Sequence, residues 1–197
     1  AYLRNVVFTE PDNPFIAVQD PRHYGEKLRS TPWVLSDSQV SWDWPGCEEK
    51  PVIVEVYASG DEAELVINGH RLGKKPVTGC RVLFETTYEP GLIQAVNYKD
   101  GSPIGMSELY TPGEGRRLAL TASYEGDELI YIDAMLTDEI GLQVSSEETE
   151  LSLTSVSGAE VLGFGSGDPK PSHNYNEGIT DTWHGRALIV LKKTGGF

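Results

Sequence analysis

Positive charge is scarce in this sequence. Sixteen Lys and Arg stand against thirty Asp and Glu in 197 residues, a formal net charge of -14. A nucleic-acid groove needs a basic footprint to displace counterions, so nucleic-acid partners are excluded. The same field disfavours anionic membrane surfaces. Long hydrophobic runs are also missing, and nothing approaches the ~20 apolar residues of a transmembrane helix. The opening AYLRNVVFTEP has no positive region followed by a long apolar stretch. No signal peptide is therefore expected, and a cytoplasmic setting is favoured over a secreted one. Two cysteines, Cys47 and Cys80, are too few for a disulfide framework or a zinc site, and free thiols are the expectation, with one stapling disulfide as the alternative. Helical periodicity is nearly absent, which excludes the alternating βα units of a TIM barrel.

Strand patterns take its place. VIVEVY (52–57) alternates and is rich in β-branched residues, and AELVI (63–67) follows. Asn68-Gly69 then separates AELVI from HRLGKK. Asn-Gly between two such runs is a strong hairpin signal, because both turn residues must take positive φ. CRVLFETTY (80–88), LIQAVNYK (92–99) and PIGMSELY (103–110) continue the series, broken by Glu89-Pro90-Gly91 and Lys99-Asp100-Gly101-Ser102. The cluster Thr111-Pro112-Gly113-Glu114-Gly115 is the best boundary. Beyond it come RLALTASY (117–124), LIYIDAMLTD (129–138), ELSLTSV (150–156), AEVLGFG (159–165) and GRALIVLKK (185–193). Short strands at this spacing predict an all-β fold of two tandem β-sandwiches, 46–111 and 112–197, preceded by an irregular lead-in segment over 1–45. In that lead-in, AYLRNVVF fits the last turns of a helix and FIAVQDP one short strand, while Pro11, Pro14, Pro21 and Pro32 forbid longer regular structure. The final KKTGGF reads as a strand entering a turn, so the second sandwich is expected to lack its last strand.

The stretch LGFGSGDPKPSHNYNEG (162–178) imitates two kinds of site. Its Gly-x-Gly-x-Gly run resembles a phosphate loop, but a dinucleotide fingerprint needs a third glycine that packs a helix onto the sheet. Here that position is Asp168, followed by Pro169, so the glycines are read as strand-edge geometry. No cofactor is expected. Asn176-Glu177 resembles a glycosidase acid, yet it lies between turn residues and not at the end of a barrel strand. Asp168, Asn174, Asn176 and Glu177, with Asp181, are weak candidates for a cation held by oxygen ligands. No Gly-x-Ser-x-Gly elbow accompanies His23, His70, His173 or His184. Trp33, Trp42, Trp44 and Trp183 remain as candidates for contact with a sugar or a neighbouring domain, although tryptophan more often supplies core area. No catalytic residue is assigned.

At this point the motifs resemble a known family. SWDWPGCEEKPVIVEVYASGDEAELVINGHRLGKK (41–75) resembles the segment following the catalytic barrel in bacterial β-galactosidases of glycoside hydrolase family 2. The matching positions are Trp42, Trp44, Gly46, Val54, Tyr57, Glu64, Leu65, Asn68, Gly69, Leu72 and Gly73. The second module is similar to the immunoglobulin-like domain that follows in that subgroup at Gly163, Gly165, Gly167, Asp168 and Pro169, then Gly185, Arg186, Ala187 and Leu188, and the resemblance implies two tandem immunoglobulin-like β-sandwiches. Ser166 departs from the asparagine usual there. The resemblance implies a parent that hydrolyses terminal β-galactosides with two glutamates on an upstream barrel. Neither glutamate's motif is present here. The implied partners are that barrel in the same polypeptide, β-galactoside substrate through the parent, and further copies in a homo-oligomer. A carbohydrate-binding or cell-surface adhesive sandwich module is the alternative reading.

Overall fold

Val52, Val54 and Val56 alternate along one strand, and all three are fully buried. They lie on the core face of a β-sandwich whose two sheets are both antiparallel. The computed structural model describes residues 2–27 and 36–194, and the chain divides into two compact units, Ala1–Thr111 and Pro112–Phe197. Both are built almost entirely of strands, so the fold is all-β, two immunoglobulin-like sandwiches in tandem.

The first unit opens with helix α1 (Tyr2–Thr9) and strand β1 (Phe15–Val18). Six more strands follow: β2 (Pro51–Tyr57), β3 (Glu62–Ile67), β4 (His70–Pro76), β5 (Arg81–Thr87), β6 (Leu92–Lys99) and β7 (Ser102–Tyr110). One sheet has the order β1-β2-β5 and the other β4-β3-β6-β7. Registers place apolar residues opposite one another, as Val18 and Phe84 flank Val54, and Leu65 meets Ala95. Such pairs and the facing side chains of the other sheet make one core. Burying each valine in it contributes roughly 1.5–3 kcal/mol.

The lead-in is built into this unit. β1 is an edge strand of the first sheet, paired with β2 from Phe15↔Tyr57 to Val18↔Val54. Helix α1 lays Val6 against Ala17 and Tyr57 on that sheet's outer face. Both faces of β2 are therefore covered, and Glu55 is 0% exposed. Its carboxylate accepts from Gln19 Nε2 at 2.7 Å and from the Tyr57 hydroxyl, with Arg81 Nη1 3.8 Å away. Those partners are what make a buried carboxylate tolerable.

Turn chemistry follows the sequence closely. Asn68 and Gly69 have φ of 48 and 83, and Asp100 and Gly101 have 51 and 75. Asn68 also ties down the β5–β6 loop, because its Oδ1 accepts from Leu92 N at 2.8 Å and its Nδ2 donates to Pro90 O at 3.1 Å.

The second unit contains β8 (Arg117–Glu125), β9 (Leu129–Thr137), β10 (Glu150–Ser152), β11 (Ala159–Gly165), β12 (Ile179–Asp181) and β13 (Arg186–Lys193). Its larger sheet has the order β11-β13-β9-β8, and β10-β12 form the smaller one. Ala187, Ile189 and Leu191 point from β13 into a core with Ala134 and Phe164, and Leu151 of β10 packs against it. The expected strand over 150–156 is shorter than its apolar pattern suggests. Pairing stops at Ser152, and β12 supplies only three residues as its partner. Asp138 organises the loop after β9. Its Oδ2 accepts from Gly113 N at 2.8 Å, and its Oδ1 from Ile140 N at 3.0 Å and Leu142 N at 2.8 Å. Burial would raise the Asp138 pKa, but these backbone donors outweigh it and hold the carboxyl below its ordinary value.

Candidate functional site

The loop between β11 and β12 carries most of the polar candidates, and its shape starts with the glycines. Phe164 points into the core and its N donates to Tyr175 O at 2.8 Å. On the opposite face, Gly163 and Gly165 leave room for the Tyr175 ring, and a Cβ on Gly165 would collide with that ring. The glycine run is thus a floor for an aromatic side chain, with Leu188 and Val190 of β13 completing a shallow apolar hollow.

The four loop candidates are dispersed. Asp168 Oδ1 accepts from Lys170 N at 2.8 Å and closes its own turn. Asn174 and Glu177 close the next turn: Asn174 Nδ2 donates to Glu177 Oε1 at 2.7 Å, and Asn174 N to Oε2 at 3.2 Å. The Asn174 side chain and backbone, with His173 nearby, hold the Glu177 carboxyl below the ordinary carboxylate range. A general acid of glycoside hydrolysis needs the opposite shift. Asn176 is exposed.

A different set converges instead. Glu150 of β10 and Asp181 of β12 are direct partners across the small sheet. His173 comes down between them, with Nε2 4.0 Å from Glu150 Oε2 and 3.9 Å from Asp181 Oδ2. Its Nδ1 faces Glu177 Oε2 at 3.5 Å. Ser172 Oγ donates to Asp181 Oδ2. Loop composition pointed to Glu177 and Asp181 but not to His173 and Glu150, because β12 is too short to announce that it pairs with 150–152.

The tryptophans divide by environment. Trp33 lies outside the described residues. Trp42 and Trp44 are 1% and 5% exposed in the first core. Trp42 donates from Nε1 to Glu89 O at 2.9 Å and meets Tyr88 edge-on, with ring centroids 4.8 Å apart. The Arg22 guanidinium lies over Trp44 at 5.8 Å. Neither ring presents a face on which a sugar could stack. Trp183 is half-buried and lies beside His184, centroids 4.6 Å apart. Trp183 and Arg186 bracket a tight turn in which His184 and Gly185 have φ of 51 and 70. The two cysteines are unbonded, Cys47 in the first core and Cys80 in a turn at φ 59. No helix among the described residues is long and apolar enough to cross a membrane.

Comparison with known proteins agrees with this architecture. Residues 49–105 match the family described as Domain of unknown function (DUF4982). Residues 119–196 match Glycoside hydrolase family 2 C-terminal domain 5. No curated protein matches the chain. Among solved structures, a glycosyl hydrolase family 2 member from Bacteroides cellulosilyticus is 28% identical, with a TM-score of 0.85 over 99% of this chain and 27% of its own. A beta-glycosidase from Bacteroides vulgatus is 24% identical, with a TM-score of 0.75 over 97% of this chain and 23% of its own. A beta-glucuronidase of glycoside hydrolase family 2 is 18% identical, with a TM-score of 0.70 over 78% of this chain and 17% of its own, a likeness of fold alone. The chain thus spans about a quarter of the length of the first two. Its second sandwich belongs to the family 2 C-terminal domain 5 group, and the chain as a whole is a C-terminal region of glycoside hydrolase family 2.

Proposed function

We propose that this region is the non-catalytic C-terminal part of a longer β-galactosidase-like enzyme. That parent removes terminal non-reducing β-galactosides by a retaining mechanism, using two glutamates on an upstream barrel. Residues 1–45 lead from the barrel into a first sandwich, 46–111, and a second sandwich, 112–197, follows. The two sandwiches support the barrel, form part of the cleft wall and contribute to homo-oligomer contacts.

One observation carries the reading: a family 2 structure matches this chain along 99% of its length, while about three quarters of that structure's own length lies outside the match. The carboxylates around His173 support it as well. Retaining hydrolysis needs one carboxyl held protonated beside a nucleophile in a substrate cleft. Glu150, Glu177 and Asp181 are instead 41–66% exposed, and Asn174 holds the Glu177 carboxyl below the ordinary carboxylate range. The test assays the full polypeptide on aryl β-galactoside, β-glucuronide and β-mannoside. Preferential galactoside turnover with an anomer-retained product agrees with the proposal. Preference for the glucuronide replaces the substrate assignment, and no glycoside turnover rejects the enzymatic reading.

A further inference from the structure

Glu150 and Asp181 sit directly opposite each other in the β10–β12 ladder. Like charges in that position repel and weaken a strand pair, and this pair is only three residues long on each side. Something must offset the repulsion. His173 is placed to do so, but its Nε2 stands 3.9 and 4.0 Å from the two carboxylates, too far to donate a hydrogen bond to either. One ligand atom from each of Glu150, His173 and Asp181 lies within 4.8 Å of the others.

From this geometry we infer that Glu150, His173 and Asp181 form a surface site for a divalent transition-metal ion of the zinc class. One imidazole and two carboxylates are zinc donors, whereas magnesium and calcium prefer oxygen throughout. Tetrahedral zinc with ligand bonds of ~2.0–2.2 Å sets its donors about 3.4 Å apart. To reach that spacing each His173–carboxylate distance shortens by about half an ångström, and the exposed side chains of Glu150 and Asp181 approach each other by up to about 1.4 Å. Water completes the fourth position.

The surroundings match a metal site in a second, separate respect. A metal-bound imidazole usually directs its other ring nitrogen at a carboxylate, which fixes the ring and raises its basicity. His173 Nδ1 faces Glu177 Oε2, and Glu177 is itself held by two donors from Asn174. Ser172 orients Asp181 in the same way. Glu177, read from the sequence as a direct ligand, becomes the positioning residue. The ion would fasten the β11–β12 loop to the smaller sheet of the second sandwich, and the chain's net charge of -14 raises the local cation concentration. This site does not depend on what the parent enzyme hydrolyses.

Calorimetric titration of the chelator-treated chain with zinc chloride tests the inference, alongside thermal unfolding. One zinc per chain should bind and raise Tm. His173→Ala and Asp181→Asn should abolish both effects, and Glu177→Gln should weaken binding about 10-fold. Calcium at the same concentration should leave Tm unchanged. Absence of saturable zinc binding overturns the inference, as does binding that survives His173→Ala. X-ray absorption on the zinc-loaded unaltered chain gives an answer free of folding effects. A shell of one imidazole nitrogen with oxygens supports the site, and sulfur ligands from Cys47 or Cys80 contradict it.

Discussion

Glu55 is the carboxylate most deeply enclosed in the first sandwich, and its hydroxyl donor is Tyr57. Burial, followed by the hydrogen bond to Glu55, pushes the Tyr57 phenol up to about 12 from its ordinary 10.0. A folded-state value above the unfolded one means that the neutral phenol contributes its stability below about pH 10, and loses it as pH rises through about 12. The contribution is on the order of 2–3 kcal/mol. Alkaline titration followed by tyrosinate absorbance and circular dichroism should show this tyrosine ionising together with loss of the first sandwich. Tyr57→Phe strips one donor from a buried carboxylate and should cost about 1–3 kcal/mol in denaturant unfolding at neutral pH. A neutral outcome would mean that water or Arg81 takes over the vacated oxygen.

At the scale of elements, two turns carry more than their sequence length suggests. Asn68 supplies the positive φ of the β3–β4 hairpin and holds the β5–β6 loop through Leu92 and Pro90. Asn68→Ala should lower unfolding stability by about 1–2 kcal/mol, as two hydrogen bonds and a left-handed conformer are lost. Asn68→Gly should recover the conformational part only. Gly185 combines φ 70 with backbone contact to Val144 O, so an added Cβ has nowhere to go. Gly185→Ala should cost about 2 kcal/mol or more, measured on the second sandwich.

The first of these turns was legible in the sequence, because Asn-Gly between alternating runs has one common solution. The second was not. His184-Gly185 follows β12, whose Ile179–Asp181 is too short for a period to show. The same brevity concealed the opposition of Glu150 and Asp181, and with it the role of His173. Alternation identified the long strands well, from Val52-Val54-Val56 in the first core to Ala187-Ile189-Leu191 in the second. Sequence could not say which face of Trp42 and Trp44 was covered, since SWDWPG has no period of its own. Their burial depends on Tyr88 and on residues nearly fifty positions away.

On the scale of the whole molecule, each compact unit has its own core, Trp42 being the largest fully buried side chain among the described residues. Trp42→Ala removes that ring and the Nε1 bond to Glu89 O, a loss of about 3–5 kcal/mol. Calorimetry should show the transition of the first sandwich lowered while that of the second keeps its Tm. A single transition shifted as one would show that the two units unfold together. Function belongs to this scale too, because the proposal separates a catalytic part from the sandwiches. The most direct measurement compares aryl β-galactoside hydrolysis by the full polypeptide with that by this 197-residue chain alone, each at equal molar concentration. Turnover is expected from the full polypeptide and none above the buffer rate from the chain. Galactoside turnover by the isolated chain, abolished by substituting one of its own carboxylates, would contradict it.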